Sequence, residues 1–360
     1  MTHITCAPVS DRSCQTLYSV CTYLSVAFIR ISTLLAGQFV GPGRIDLVDV
    51  PEPELPASPA DSDAQGQIIF QPECTCLCGS DLPFFRGTDE WPIEQGHSLH
   101  EMTGTVIDTN GSRFHPGERV LCVPVNQLGL FERYTVDETR AIRLDTRVTE
   151  EEAMLAQPLG TAIYALKKLP DIVDKDIAVV GQGPMGQLFN LSLRNLGARH
   201  IIGIDLLESR LAQSPTFGAT ETVCNQTDDP VDAVRNILHG ELPDIVIEAV
   251  GHYDQQFNLC IALCRHSGRI LYFGVPPETI EVRWRDLLFK NLTVHTSINP
   301  DFARDFPLAM RWIGEGRVNV RPLITHRFPL DRIQEAFETF YEKREGALKV
   351  LVEFPSWQKN

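Results

Sequence analysis

The sequence predicts an α/β protein in which an all-β region precedes a doubly wound parallel sheet. Short apolar runs separated by Gly and Pro turns occupy residues 36–125. From Glu150 onward, helical patterns alternate with short, continuously apolar strands. Strands that alternate with helices are typical of a parallel sheet with helices on both faces. A glycine-rich turn between one such strand and the next helix indicates a nucleotide-binding site.

The all-β region starts with a predicted strand pair. Ile45, Leu47 and Val50 alternate with acidic residues, and Gly41-Pro42-Gly43 supplies the turn before them. A polar loop over residues 56–65 follows. The further strands predicted here are Gly66–Phe70, Thr103–Ile107 and Arg119–Val125.

The alternating region begins with a predicted helix, Glu150–Leu169, with Thr149 as its N-cap. The predicted strands that follow are Asp176–Gly181, His200–Asp205, Asp244–Ala249 and Arg269–Gly274. The helices predicted between them are Pro184–Leu196 and Gln255–Cys264. The tail is expected to add a helix, Leu330–Tyr341, and a last strand, Leu348–Phe354.

The composition limits the class of protein. A chain of 360 residues is long enough for about two domains at roughly 150 residues each. A formal net charge of −15 disfavours nucleic acid as a partner. The ten cysteines form no pattern of a secreted disulfide scaffold. We therefore expect a cytoplasmic protein with no nucleic-acid or membrane partner.

Residues 1–32 need separate interpretation. The apolar run from Leu17 to Ile29 is too short and too rich in Ser and Thr to span a membrane. Only Arg12, next to Asp11, precedes it, which makes a weak secretion signal. We expect a loose N-terminal extension, and a signal peptide is the alternative.

The glycine-rich turn has the pattern of a dinucleotide fingerprint. Gly181, Gly183 and Gly186 follow a predicted strand and open a predicted helix, with Pro184 and Met185 between them. Gly181 permits the tight turn, Gly183 lets the backbone approach a pyrophosphate, and Gly186 allows close packing of helix and strand. The alternative is a glycine-rich turn that binds no nucleotide.

The acidic residue expected after such a fingerprint is Asp205, at the end of the next strand. A carboxylate there binds the ribose hydroxyls and repels a 2′-phosphate, which favours NAD over NADP. Arg210 is expected near the adenosine.

A candidate metal site is spread over three segments. Cys78 stands in Cys78-Gly79-Ser80-Asp81, His100 precedes Glu101, and Gln157 lies before the nucleotide region. Thiolate, imidazole and carboxylate are zinc ligand types. Asp81 is a candidate to accept the second ring N–H of a ligating histidine. The alternatives are a packed thiol on a strand face with Cys74 and Cys76, and an ordinary loop histidine.

Together these motifs resemble the zinc-containing medium-chain dehydrogenases, which include sorbitol, threonine, glucose and alcohol dehydrogenases. The resemblance runs from about Gly41 to Phe354. The segments that carry it are Gly41-Pro42-Gly43, Cys78–Leu82, His100–Val106, Pro116–Val120, Gln157-Pro158-Leu159, Gly181–Gly186, Glu248–Gly251 and Gly268–Val275.

The resemblance implies a GroES-like catalytic domain over residues 33–162 and 303–360, interrupted by a Rossmann domain over 163–302. It implies an active site between the domains and a homodimer or homotetramer. By position, Cys78, His100, Glu101 and Gln157 correspond to zinc ligands. Gly251 and Gly274 belong to the implied cofactor site.

Four departures from the family pattern stand out. Leu99 replaces the glycine usual before His100, and Gly96-His97 just upstream makes His97 the rival ligand. Gln157 replaces a usual glutamate, so that it either binds zinc or hydrogen-bonds to the metal-bound water or the substrate. A four-cysteine lobe is missing, which predicts one catalytic zinc and no structural zinc. Pro83 replaces a histidine and cannot relay a proton.

The implied reaction is hydride transfer from a secondary alcohol of a polyol, sugar or amino alcohol to NAD. Zinc lowers the pKa of the substrate hydroxyl and Ser80 takes its proton. For Ser80 the alternative is an ordinary turn serine. For the protein, the alternatives are a zinc-free NAD(P)H-dependent reductase of the same fold and a silent NAD-binding protein.

Overall fold

The computed structural model describes residues 33–56, 66–88, 91–251 and 255–357, which belong to one compact unit. The expectations for residues 1–32 and most of the 56–65 loop therefore lie outside the described residues. The strands are β1 (Thr33–Gly41), β2 (Arg44–Pro51), β3 (Gln67–Cys76), β4 (Met102–Thr109), β5 (Arg119–Cys122), β6 (Tyr134–Asp137), β7 (Ala141–Arg143), β8 (Asp176–Val180), β9 (His200–Asp205), β10 (Glu221–Cys224), β11 (Ile245–Glu248), β12 (Arg269–Tyr272), β13 (Thr293–Thr296), β14 (Ile324–Pro329) and β15 (Lys349–Glu353).

The α-helices begin with a short one after β3 and continue around both sheets. They are α1 (Leu82–Arg86), α2 (Glu150–Met154), α3 (Ala156–Leu166), α4 (Pro184–Asn195), α5 (Glu208–Leu211), α6 (Pro230–Ile237), α7 (Gln255–Leu263), α8 (Trp284–Phe289), α9 (Phe302–Gly314) and α10 (Ile333–Glu342). No helix of the described ranges is long and apolar enough to cross a membrane.

The first sheet is mostly antiparallel and joins distant parts of the chain. Its strand order is β14-β15-β3-β4-β5-β7, and β6 pairs with β3. The last strand, β15, lies antiparallel to β3, with Leu351 opposite Cys76. The C-terminal segment thus completes the sheet that the N-terminal half begins, while β1 and β2 form a separate hairpin.

The second sheet is parallel throughout, with the order β10-β9-β8-β11-β12-β13. In such a sheet the strand order reverses between β8 and β11, and ligands bind beside the carboxyl ends of these strands. The predicted α/β fold class, with one doubly wound parallel sheet beside a second sheet region, is confirmed. The predicted domain limits at 162 and 302 stay predictions.

Helix α3 packs against both halves of the molecule. Eight of its residues are buried, and it contacts α4 of the parallel sheet region and α9. A Cβ on Gly160 would come within 2.5 Å of the Phe306 ring, so glycine is required for the close approach of α3 and α9. The core is continuous from the first sheet through α3 to the parallel sheet.

The prediction of one continuous helix over Glu150–Leu169 is wrong, because the structure has two helices there. Helix α2 ends at Met154 and α3 begins at Ala156. The break places Pro158 in the first turn of a helix. N–H groups in that turn have no acceptor within the helix, so a proline there costs no hydrogen bond. The N-cap is confirmed, because the Thr149 hydroxyl accepts from the Glu152 N–H and the Glu152 carboxylate accepts from the Thr149 N–H.

Candidate active site

The candidate metal ligands lie where β3 ends and β4 begins. These strands are antiparallel neighbours, so the residues after β3 and before β4 meet. The carbonyl oxygen of Glu101 accepts from the Cys76 N–H (3.1 Å) and from the Thr75 hydroxyl (2.8 Å). Cys78 lies beyond the end of β3, so the strand-face interpretation is wrong for this thiol.

Three candidate ligands converge. One ligand atom each of Cys78, His100 and Glu101 lies within 4.8 Å of the others, and this is the only such group of His, Cys, Asp and Glu among the described residues. Tetrahedral zinc with bonds of about 2.0–2.3 Å places its ligand atoms roughly 3.3–3.8 Å apart, which the group can reach. His100 Nδ1 is also buried without a hydrogen-bond partner among the described residues. The donor chemistry and the orphaned nitrogen fit a zinc ion.

The ring of the rival His97 packs against Phe84, with ring centroids 4.0 Å apart. It is not part of the converging group, which contains His100. Gln157 is the second residue of α3 and is half-buried, and its place as fourth ligand stays a prediction.

Glu101 has a buried cationic partner that the sequence analysis missed. Lys349 Nζ lies 2.6 and 2.5 Å from the two carboxylate oxygens, and both side chains are 1% exposed. Burial raises the pKa of Glu101, and Lys349 opposes that rise. Burial lowers the pKa of Lys349, but Glu101, Cys78 and Cys76 together raise it above its usual value, so the lysine stays charged. A lysine inside the apolar run Leu348–Phe354 was the sequence signal for this pair.

Asp81 connects the two ligand segments through their backbone. One carboxylate oxygen accepts from the Cys78 N–H at 2.7 Å, and the other accepts from Ser98 Oγ at 2.7 Å and the Leu99 N–H at 2.9 Å. None of these three donors is a histidine ring, so the predicted hydrogen bond from a ligating histidine to Asp81 stays a prediction. The carboxylate is already occupied by donors that fix the chain on either side of the site.

The residues before His100 adopt an unusual backbone conformation. Ser98 and Leu99 have φ values of +102° and +66°, in the region that favours glycine. The Leu99 side chain is fully buried in the core of the first sheet. Its burial and its hydrogen bond to Asp81 offset the roughly 1–2 kcal/mol that a left-handed residue costs.

Ser80 lies in the 3₁₀ turn Gly79–Asp81 that follows Cys78. Its Oγ is buried and has no hydrogen-bond partner among the described residues, so it caps no backbone N–H there. The interpretation as an ordinary capping serine is wrong for this structure. Its role as a proton acceptor stays a prediction.

The glycine-rich loop joins β8 to α4 at the reversal point of the parallel sheet. Gly181 has a φ of +95°, and a Cβ on Gly186 would lie 1.9 Å from the Gly181 carbonyl oxygen. Gly183 is the N-cap of α4, and Pro184 and Met185 are its first two residues. The first N–H groups of such a helix have no intrahelical acceptor and can bind phosphate.

Asp205 closes this loop from the end of β9. Its carboxylate accepts from the Gln182 N–H at 2.7 Å and the Leu207 N–H at 2.9 Å. Arg210 Nη1 lies 4.0 Å from the same carboxylate and 3.4 Å from the position of a Cβ on Gly183. Burial lowers the pKa of Arg210, and Asp205 opposes that shift. The acid and the guanidinium thus flank the loop together.

Glu248 ties together two more loops at the carboxyl ends of the parallel strands. Its carboxylate accepts from the N–H groups of Val250 and Gly251 at 2.9 Å and from Gly274 N–H at 3.0 Å. A Cβ on Gly274 would lie 2.2 Å from Gly251 N. Gly251 and Gly274 are therefore adjacent, and Glu248, which the sequence analysis assigned no role, sets their spacing.

Known proteins share this architecture. A family model described as zinc-binding dehydrogenase matches residues 184–315. L-threonine 3-dehydrogenase from Coxiella burnetii is 25% identical over 85% of the chain and 96% of that relative. The alcohol dehydrogenase from Thermus sp. ATN1 has a TM-score of 0.78 and 24% identity over 89% of the chain and 99% of its own.

A third similar protein is an alcohol dehydrogenase from Escherichia coli CFT073, solved in complex with NADH. It has a TM-score of 0.78 and 21% identity over 90% of the chain and 100% of its own. The chain is thus similar along most of its length to L-threonine 3-dehydrogenase, its residues 184–315 match the zinc-binding dehydrogenase model, and the two solved structures share its fold.

Proposed function

We propose that the protein is a dehydrogenase that uses one catalytic zinc ion and NAD to oxidise a secondary alcohol. The observation that carries the proposal is the convergence of Cys78, His100 and Glu101 in a chain that also has a complete dinucleotide loop. A zinc-free reductase of the same fold would have no use for a half-buried thiol, a half-buried imidazole and a buried carboxylate gathered at one point.

Cys78, His100 and Glu101 would hold the zinc, with Gln157 at the fourth position or bonded to the substrate. When bound, zinc lowers the pKa of a coordinated hydroxyl group toward neutrality. Lys349 neutralises the Glu101 carboxylate from the protein side, and Asp81 fixes the segments that carry Cys78 and His100. The chain's own residues thus preorganise the site.

Ser80 is the residue proposed to accept the substrate proton. A buried hydroxyl without a protein partner is free to exchange hydrogen bonds with a substrate hydroxyl. Ser80 would release its own hydroxyl proton toward bulk water as it accepts that of the substrate, and a bound dinucleotide would offer its ribose hydroxyls to this path. Pro83, two residues after Asp81, cannot take part in this relay, since proline has no titratable side chain.

Asp205 supports NAD as the cofactor, which supplies the hydride acceptor. Its carboxylate stands beside the loop and would repel a 2′-phosphate. Arg210 lies close enough to the loop to attract a 2′-phosphate, but Asp205 partly neutralises the charge of its guanidinium. The repulsion by Asp205 outweighs the attraction by Arg210, which favours NAD over NADP.

The relatives support one class of substrate. The substrate named for one relative, L-threonine 3-dehydrogenase, is a polar molecule with a secondary alcohol. We infer the same class here, a polyol, sugar or amino alcohol.

We also infer a homodimer, or a homotetramer built from it. Strand β13 is an edge of the parallel sheet, and exposed apolar side chains lie on it and on α8 nearby in the chain. These are Trp284, Leu288, Phe289 and Val294. An edge strand beside apolar surface is suited to pairing with a second copy.

The deciding experiment is zinc per chain by elemental analysis, on wild type and on Cys78→Ala. We expect about one zinc per chain, lost in the variant, and NAD reduction by wild type in a screen of polyols, sugars and amino alcohols. Cys224→Ala is the matched control, because its thiol is also half-buried but lies on β10. Metal-free wild type would make the zinc-free reductase the better account. Zinc and NADH binding without turnover would favour the silent NAD-binding protein.

A further inference from the structure

A fully buried group of polar side chains lies beneath the glycine-rich loop, and the proposed reaction does not use it. Its members are Gln182, Gln187, Asn190 and Ser214. Gln182 is the residue between Gly181 and Gly183, and its side chain lies against Gly203 of β9. A Cβ on Gly203 would come within 2.7 Å of Gln182 Cδ. Glycine on β9 therefore makes room for a polar side chain under the loop.

The side-chain amide of Gln182 is saturated with hydrogen bonds. Nε2 donates to the carbonyl oxygens of Val179 at 2.9 Å and Gly181 at 3.3 Å. Oε1 accepts from Asn190 Nδ2 at 2.7 Å and from Ser214 Oγ at 2.8 Å. An amide has two donor hydrogens and two acceptor positions, so no capacity is left. A buried side chain with all its hydrogen bonds made is held in one geometry.

The same network holds both charged residues beside the loop. The Gln182 N–H donates to Asp205 at 2.7 Å. Gln187 Nε2 donates to the carbonyl oxygen of Gln182 at 3.0 Å and to that of Arg210 at 3.3 Å. Ser214 Oγ also lies within hydrogen-bond distance of the Arg210 carbonyl oxygen, at 3.2 Å. The backbone of the loop and the backbone that carries Arg210 thus share one support.

We propose that Gln182, through this buried network, is a positioning residue for the dinucleotide. It sets where Asp205 and Arg210 stand relative to the pyrophosphate loop, and so how strongly NADH is preferred over NADPH. The inference rests on the proposed NAD site. It goes further because it assigns cofactor selectivity to fully buried side chains beneath the loop.

The test compares two serine-to-alanine variants of the full-length protein. Ser214→Ala removes the hydroxyl that joins Gln182 to Arg210. Ser192→Ala removes an equally buried hydroxyl of α4 that has no hydrogen-bond partner among the described residues. The dissociation constants for NADH and NADPH are measured by fluorescence titration, together with the melting temperature and the zinc content. Gln182→Met, which keeps the side-chain length without its hydrogen bonds, is the second variant.

We expect Ser214→Ala to bind NADH roughly 5- to 20-fold more weakly than wild type, the scale of one lost buried hydrogen bond. We expect the ratio of the NADPH to the NADH dissociation constant to fall, because a loosened Asp205 repels the 2′-phosphate less. Gln182→Met should show the same changes more strongly, and Ser192→Ala should match wild type. If Gln182→Met does not fold, Ser214→Ala decides.

A lower melting temperature in Ser214→Ala with an unchanged selectivity ratio would overturn the inference and leave a merely structural network. Equal effects of Ser214→Ala and Ser192→Ala would overturn it too. Wild type that binds neither dinucleotide would overturn the proposed function, and the inference with it. These results differ from one another, so the two failures are distinguishable.

Discussion

Two opposite charges are fully buried beside the candidate metal site. The Glu101 and Lys349 side chains are each 1% exposed. Lys349 Nζ donates to both carboxylate oxygens of Glu101. Removing one partner of a buried ion pair leaves the other charge without compensation, which costs more than the pair contributes. A cation bound by Cys78 and His100 would take over part of the role of the lysine, because a Glu101 carboxylate oxygen also belongs to the converging group.

Lys349→Met should therefore lower the free energy of unfolding by about 3–5 kcal/mol in protein without added metal, measured by urea denaturation. With saturating zinc the loss should be smaller, since the metal compensates Glu101. Lys175→Met is the control, because Lys175 forms only an exposed ion pair with Asp171 at 3.1 Å, worth about 1 kcal/mol or less. A loss for Lys349→Met no larger than that of the control would contradict the prediction.

The proposed role of Ser80 also depends on a single residue, because one oxygen atom accepts the proton. Ser80→Ala should lower kcat by roughly 10²- to 10⁴-fold, the range typical of lost acid–base help, with zinc content unchanged. Ser80→Thr keeps the hydroxyl and should retain more activity. Near-normal turnover of Ser80→Ala would remove this residue from the proton path.

At the scale of elements, the parallel sheet is joined at its amino ends by a charged cluster. Asp176 begins β8 and is paired with His200, the first residue of β9. Its carboxylate accepts from Arg199 Nε at 2.9 Å and Nη2 at 2.5 Å, and it contacts His200 Nδ1 at 2.8 Å. Arg199 lowers the pKa of Asp176 below its usual value of 3.8, against the opposing effect of burial.

A carboxyl group with a lowered pKa stabilises the fold at pH values above its unfolded pKa. That contribution is lost as the pH falls through the folded value. Asp176→Asn should thus lower the free energy of unfolding at pH 7 by about 1 kcal/mol, since Arg199 is half exposed and the pair is screened. The gap between wild type and variant should close as the pH falls below about 4. A gap that stays constant from pH 7 to pH 3 would rule out the linkage.

At the scale of the whole molecule, the parallel sheet ends in the edge strand β13, and apolar side chains on β13 and α8 are exposed there. Val294 on β13 is 36% exposed, and Leu288 and Phe289 on α8 are 60% and 67% exposed. Apolar side chains at that exposure beside unpaired strand groups favour association with another sheet edge.

Wild type should therefore have a solution mass of at least twice the 40.3 kDa of one chain, measured by light scattering after gel filtration. Val294→Lys places a charge on the edge and should shift the mass toward a single chain. Val173→Lys is the control, because Val173 is 65% exposed but lies outside this surface. A monomeric wild type, or equal masses for both variants, would exclude this interface.

The sequence alone determined the dinucleotide half of the protein. Gly181, Gly183 and Gly186, the strand before them and the helix after them lie within one short stretch, and Asp205 ends the very next strand. Local turn chemistry and apolar periodicity act over such distances, so they can be read without knowing the fold. The strands β8, β9, β11 and β12 were predicted for the same reason, whereas the more polar β10 and β13 carry no continuous apolar run.

The tertiary structure decided the details of the metal site. It chose His100 over His97 for the converging group, gave Asp81 backbone donors, and paired Glu101 with Lys349. Lys349 lies 248 residues from its partner. Their contact exists only because β15 returns to pair with β3. No local pattern encodes that return, since β3 and β15 lie at opposite ends of the described chain and their pairing depends on the whole fold between them.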